Sequence, residues 1–158
     1  MGRSDFYAYL TLLQELSAAL ADLTKIEQEK TQTVRNDDLG GLNECMKQEQ
    51  ALTMTLRGYE QKRMALLHAL GLNGVPLNGL LSHAPEDCLD ETKRTVEELR
   101  RQYSLFRGAS EVARDTLECN LHQIEKILQK LHSNGKDGPG YQSQESQLPS
   151  QLRTDFRA

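Results

Sequence analysis

Residues 39–70, LGGLNECMKQEQALTMTLRGYEQKRMALLHAL, decide how this chain must fold. The stretch has no proline, and Leu39, Leu42, Met46, Leu52, Leu56, Tyr59, Leu66 and Leu70 recur at steps of three and four or sums of these. Residues so spaced lie along one side of an α-helix, because 3.6 residues complete a turn. Glu44, Arg57 and Gln61 fall away from that side, as a solvated face requires. At about 1.5 Å per residue such a helix runs roughly 48 Å, too long to pack inside a small ball without other long helices beside it. Asn36-Asp37-Asp38 supply turn and N-cap residues before it, and Gly71, Asn73-Gly74 and Pro76 mark its end.

Upstream, the same spacing predicts a first helix from about Ser4 or Asp5 to Val34, with Phe6, Leu10, Leu13, Leu16, Leu20, Leu23, Ile26 and Val34 as its stripe. Leu12 and Ala19 broaden the stripe, whereas Glu15, Asp22, Lys25 and Glu29 lie off it. The short connection at residues 31–38, TQTVRNDD, makes the first two helices an antiparallel hairpin. Residues 71–85, GLNGVPLNGLLSHAP, are a connector, yet Val75, Leu77, Leu80 and Leu81 are too apolar for a free linker. A loop with one helical turn, folded over the hairpin end, is expected there.

A third helix is predicted from Pro85-Glu86-Asp87 to about His132. Its stripe is Leu89, Val96, Leu99, Tyr103, Phe106, Ala109, Ala113, Leu117, Leu121, Ile124, Leu128 and Leu131, with ion pairs expected for Asp90 with Arg94 and Glu97 with Arg101. Beyond it the composition turns to Gly, Ser, Gln and Pro, which cannot bury enough surface to offset ordering entropy. The expected fold is therefore all-α: an elongated antiparallel, coiled-coil-like bundle of three long helices over residues 1–132, with a mobile polar tail over 133–158.

Aromatic content of 5% with no tryptophan, beside abundant Leu, Glu, Gln, Lys and Arg, leans the same way. A net charge of −4 gives no electrostatic reason to expect nucleic acid or an anionic membrane as partner. No apolar run approaches the ~18 residues that a membrane span needs, and the N-terminus does not read as a signal peptide, so a cytoplasmic protein without membrane insertion is expected. Cys45, Cys88 and Cys119 are far apart and odd in number, which suits reduced thiols.

Catalytic chemistry finds little support in these residues. Of His68, His83, His122 and His132, only His122 has a cysteine at metal-ligand spacing, Cys119, and no histidine follows a glutamate by three residues. No nucleophile elbow and no phosphate-binding glycine pattern occurs. Neither an enzyme nor a cofactor or metal site is expected. Glu60 and Arg63 read as a helix-surface ion pair, although Arg63 lies close enough to Tyr59 and Leu66 to edge into the seam. The strip Leu117, Leu121, Ile124, Leu128 and Leu131 is either ordinary core or a groove left open for a partner helix.

The stretch KIEQEKTQTVRNDDLGGLNECMKQEQALTMTLRGYEQKRMALLHALGL, Lys25 to Leu72, resembles the FlgN family of flagellar export chaperones. The likeness is carried by a leucine-rich first helix, a short turn, and a second helix with Glu60, Arg63 and Leu66-Leu67. A Leu70-Gly71-Leu72 end, a loop, a long third helix and a polar tail with Tyr141 follow. The resemblance implies a cytoplasmic chaperone, not using ATP, for hook–filament junction proteins, whose terminal helices it would hold and deliver to the flagellar export gate. It also implies that Tyr141 contributes to handing the complex to the gate, with Phe156 as a weaker anchor. The rival reading is a structural coiled-coil homo-oligomer, a homodimer in its simplest form, in which the third stripe closes on a second copy.

Overall fold

Helix α1 spans Arg3–Arg35 and is the helix around which the others pack. In the computed structural model, which describes residues 2–134, its buried residues follow two lines of three-and-four spacing. One line is Phe6, Leu10, Leu13, Ser17, Leu20, Thr24, Glu27, Thr31 and Val34; the other is Tyr9, Leu12, Leu16, Ala19, Leu23 and Ile26. Two such lines cover roughly 200° of the helix, which one neighbour cannot bury. Glu27 reaches Glu49 of the next helix through Lys30, whereas Ser17 lines a cleft with Thr95 and Gln102 from later in the chain.

Helix α2 spans Leu39–Ala69 and runs antiparallel to α1. The hairpin turn closes with Asp37 in the left-handed region at φ 54°, where the Asp38 N–H donates to the Thr33 carbonyl at 2.9 Å. Asp38 then caps α2, its carboxylate accepting from the Gly41 N–H at 2.9 Å. A side chain at Gly41 would collide with that carboxylate and come within 2.9 Å of the Thr33 methyl, so the close approach requires glycine here.

The seam of α2 differs in phase from the sequence reading near its start. Leu39 and Met46, expected in the stripe, are 79% and 47% exposed, and Cys45 is buried instead. Leu42, Cys45, Glu49, Leu52, Leu56, Tyr59, Arg63, Leu66 and Leu70 are all buried or half-buried and alternate by three and four, with Leu67 buried beside them. Three of these are polar or weakly apolar, so a reading that follows leucine and methionine slips off the true line between Leu42 and Leu52.

At the far end Gly71, at φ 68°, terminates α2 while Leu72 donates back to the Leu67 carbonyl at 2.9 Å. The connector contains a 3₁₀ segment, Leu77–His83, and a second, Glu86–Cys88. Leu72 and Leu80 enter one core cluster with Phe6, Leu67 and Leu70, so the connector does fold over the hairpin end.

Helix α3 spans Leu89–Asn134 among the described residues; the expected start, Pro85-Glu86-Asp87, instead lies at the 3₁₀ turn just before it. Its first buried residue is Cys88 of the preceding turn, while Leu89 is exposed. Arg3 and Asp87 pair at 3.5 Å, which sets the starts of α1 and α3 side by side, and the two helices run parallel. Val96 joins the common core, with Leu99, Tyr103 and Phe106 packed half-buried against it. Arg101 forks onto Glu98, at 2.9 and 3.0 Å, rather than onto Glu97. The Glu98 carboxyl is thereby pushed down to about 2, by the Arg101 and Gln102 hydrogen bonds. Among the described residues there is no strand. The first compact unit closes at Asn120, and the second begins at Leu121.

Candidate partner-binding face on helix α3

Helix α3 is the longest of the three, with 46 residues against 33 in α1 and 31 in α2. Its heptad line is regular: Val96, Leu99, Tyr103, Phe106, Ser110, Ala113, Leu117 and Asn120 lie within the first unit, all buried or half-buried. The same alternation continues through Ile124, Ile127 and Leu131, with Leu121 and Leu128 beside it. Every residue from Leu121 to Asn134 is exposed.

The five apolar side chains of this second segment, Leu121, Ile124, Ile127, Leu128 and Leu131, are each between 47% and 64% exposed. Single exposed leucines need no explanation; five on one side of about three helical turns do. The structure thus places Leu121, Ile124, Leu128 and Leu131 together on an open face, while Leu117 sits half-buried in the first unit. Ile127 belongs to the face and was missed, although its step of three from Ile124 signals it. Tyr141 and Phe156, and the tail expected over 133–158 apart from Ser133 and Asn134, lie outside the described residues.

Elsewhere the polar chemistry is structural. Lys30 Nζ lies 2.8 Å from Glu49 Oε2 and 3.4 Å from Glu27 Oε2, joining α1 to α2 in the seam. Burial pushes the Glu27 carboxyl up to about 7, helped by Glu49 and opposed by Lys30. Burial alone would lower Lys30, but the Glu49 hydrogen bond and both carboxylates outweigh it and raise the amine. This cluster escaped the sequence reading, because Glu27 looks like one more surface acid until Glu49 is known to face it.

Arg63 holds Glu60 in a two-pronged hydrogen bond, at 2.9 and 2.7 Å, and its guanidinium also meets the Tyr9 hydroxyl. The pair is half-buried rather than on an open surface, and a tyrosine of helix α1 meets it. Cys45 and Cys88 are buried and Cys119 exposed, all as free thiols. Among the described residues no group of three or more His, Cys, Asp or Glu could hold a metal ion. No helix among them is long and apolar enough to cross a membrane. A cleft of about 750 Å³ near the hairpin turn is lined by Gln28, Glu29, Gln32, Asn36, Glu44 and Cys45 among others. Burial, with Glu29 and other nearby acids, pushes the Cys45 thiol up and so disfavours its thiolate.

Among the described residues long helices pack around a shared core, and the last turns of the third carry an open apolar face. The family model described as FlgN protein matches residues 1–148, and the chain belongs to that family of flagellar export chaperones. Neither the curated proteins nor the solved structures compared with the chain include a match.

Proposed function

We propose that this protein is a cytoplasmic export chaperone that binds the terminal helices of flagellar hook–filament junction proteins and delivers them to the export gate. The observation that carries the reading is the open face Leu121, Ile124, Ile127, Leu128 and Leu131. An amphipathic client helix laid on it would remove the apolar surface of both partners from water, at roughly 25 cal/mol per Å². Leu121→Arg with Leu128→Arg should abolish binding of a junction-protein terminal fragment in a calorimetric titration and leave the melting temperature unchanged. Binding retained by the folded double variant rejects this face as the client site.

Delivery to the gate is assigned to the tail. Tyr141 stands in GKDGPGYQSQES, where a lone aromatic can dock weakly and release. Tyr141→Ala should keep client affinity while weakening binding to the cytoplasmic domain of the export gate and reducing motility. Equal gate affinity in variant and parent refutes the tail assignment. The competing reading, a coiled-coil homo-oligomer, draws support from Ile124 and Ile127 at successive seam positions, a pattern that favours self-association of three helices. Light scattering with and without the client fragment separates the two.

A further inference from the structure

The α1–α2 hairpin is apolar at one end and polar at the other. Its core cluster takes residues of α1 from Phe6 to Leu23 and residues of α2 from Leu52 to Leu67. Beyond Leu23 the buried residues of α1 are Thr24, Ile26, Glu27, Thr31 and Val34, and from Leu39 to Ala51 the one buried residue of α2 is Cys45. The threonine hydroxyls do not tie the helices together. Thr24 donates to the Leu20 carbonyl, Thr31 to that of Glu27 and Thr33 to that of Lys30, each within α1. Among the described residues, the side-chain hydrogen bond that crosses the seam in this half runs from Lys30 Nζ to Glu49 Oε2, at 2.8 Å. The first turns of α2 therefore rest on α1 through a thiol, the half-buried Leu42 and one charged cluster.

That cluster carries one charge too many. Glu27 and Lys30 enter it from α1 and Glu49 from α2, and the Cys45 thiol is the other titratable group near Lys30. The ion pairs of α3 among the described residues, Glu98 with Arg101 and Arg107 with Glu111, stay within that helix and bring no further charge to it. With Glu27 protonated, the Lys30 ammonium and the Glu49 carboxylate balance. With Glu27 ionised, a carboxylate at 2% exposure has only a cation that is already shared. Burial and Glu49 accordingly favour the neutral acid in the closed seam. Parting the helices returns Glu27 to water, where it ionises without cost.

We infer that the turn half of the hairpin is a proton-operated latch: residues 39–51 of α2, with the hairpin turn, part from α1 as one unit far more readily once Glu27 has lost its proton, while the apolar core stays closed. Segments with few buried apolar side chains open locally at lower free energy than the core beside them, and here the charge in the seam sets that free energy. The inference is independent of what docks on α3.

Two native thiols report the two halves of the molecule. Cys45 lies in the turn half, Cys88 lies in the core cluster, and the exposed Cys119 is replaced by serine. The folded Cys119→Ser chain is labelled with a dipyridyl disulfide, and each rate is divided by that of the same cysteine in urea at the same pH. At pH 8 Cys45 should be labelled at least tenfold faster than Cys88 on this scale. The Cys45 rate should rise at least tenfold from pH 5 to pH 8, because the closed seam holds a proton that the open one releases. Glu27→Gln should remove most of that rise, and Glu49→Gln should shrink it by leaving one acid to one amine. Circular dichroism melts check that both variants fold, and the comparisons within the Cys119→Ser chain stand without either. Equal rates at Cys45 and Cys88 overturn the inference, since the hairpin then opens only with the whole core. So does a Cys45 rate that is flat from pH 5 to pH 8, or a rise that survives Glu27→Gln in full.

Discussion

Glu27 is a carboxylate at 2% exposure in a seam otherwise built largely of leucine, threonine and alanine. Two carboxylates and one amine meet there, so an uncompensated negative charge is buried whenever both acids are ionised. The carboxyl of Glu27, raised by burial to about 7 from 4.5, binds its proton more tightly in the folded chain than in the unfolded one. The stability it supplies is therefore present in full below about pH 4.5 and is lost as pH rises through about 7. Urea denaturation of the parent should show a declining contribution across that window, and Glu27→Gln should flatten it. Lys30→Met should cost about 3 kcal/mol at pH 8, where two acids are left without their cation, and less at pH 5, where Glu27 can keep its proton. An equal cost at both pH values would show that the cluster does not titrate as described.

Helices of this length depend on where their backbone is free and where it is forced. Gly58 and Gly108 lie inside α2 and α3, and an added Cβ at either would meet nothing within 4 Å. Alanine there removes unfolded-state freedom without a clash, so Gly58→Ala and Gly108→Ala should each stabilise by about 0.5–1 kcal/mol. Gly71 has equally open surroundings but φ 68°, where a side chain is strained. Gly71→Ala should destabilise by about 1 kcal/mol or more, because the αL residue ends α2 and lets Leu72 bond back to Leu67. Chemical denaturation of the three variants checks the contrast in sign. Open space is the same at all three positions, and only the dihedral differs.

For the molecule as a whole, residues from Leu121 onward add no buried side chain among those described, while the core of the first unit is complete without them. A chain ended after Asn120 should unfold cooperatively at a melting temperature within a few degrees of the parent. It should nevertheless lose junction-protein binding entirely. A large drop in melting temperature would mean that the last turns of α3 stabilise the bundle as well as serving a partner. The family is one of flagellar export chaperones, and the proposed function assigns stability to the first unit and client docking to the exposed segment.

Helix number, helix ends and the hairpin turn were legible in the amino-acid order, because three-and-four spacing, Asn36-Asp37-Asp38 and Gly71 act through local backbone geometry alone. The position of an apolar strip late in α3 was legible for the same reason. Which strips are covered was not. Leu13 and Leu131 look alike in the chain, yet one is fully buried and the other 64% exposed, because only tertiary packing decides whether another helix lies opposite. The same holds for Cys45 in place of Met46, and for Glu27, whose burial follows from Glu49 and Lys30 arriving across the α1–α2 seam. Local sequence determined the helices and their candidate faces; the packing of α1, α2 and the first part of α3 into one core decided which of those faces are buried.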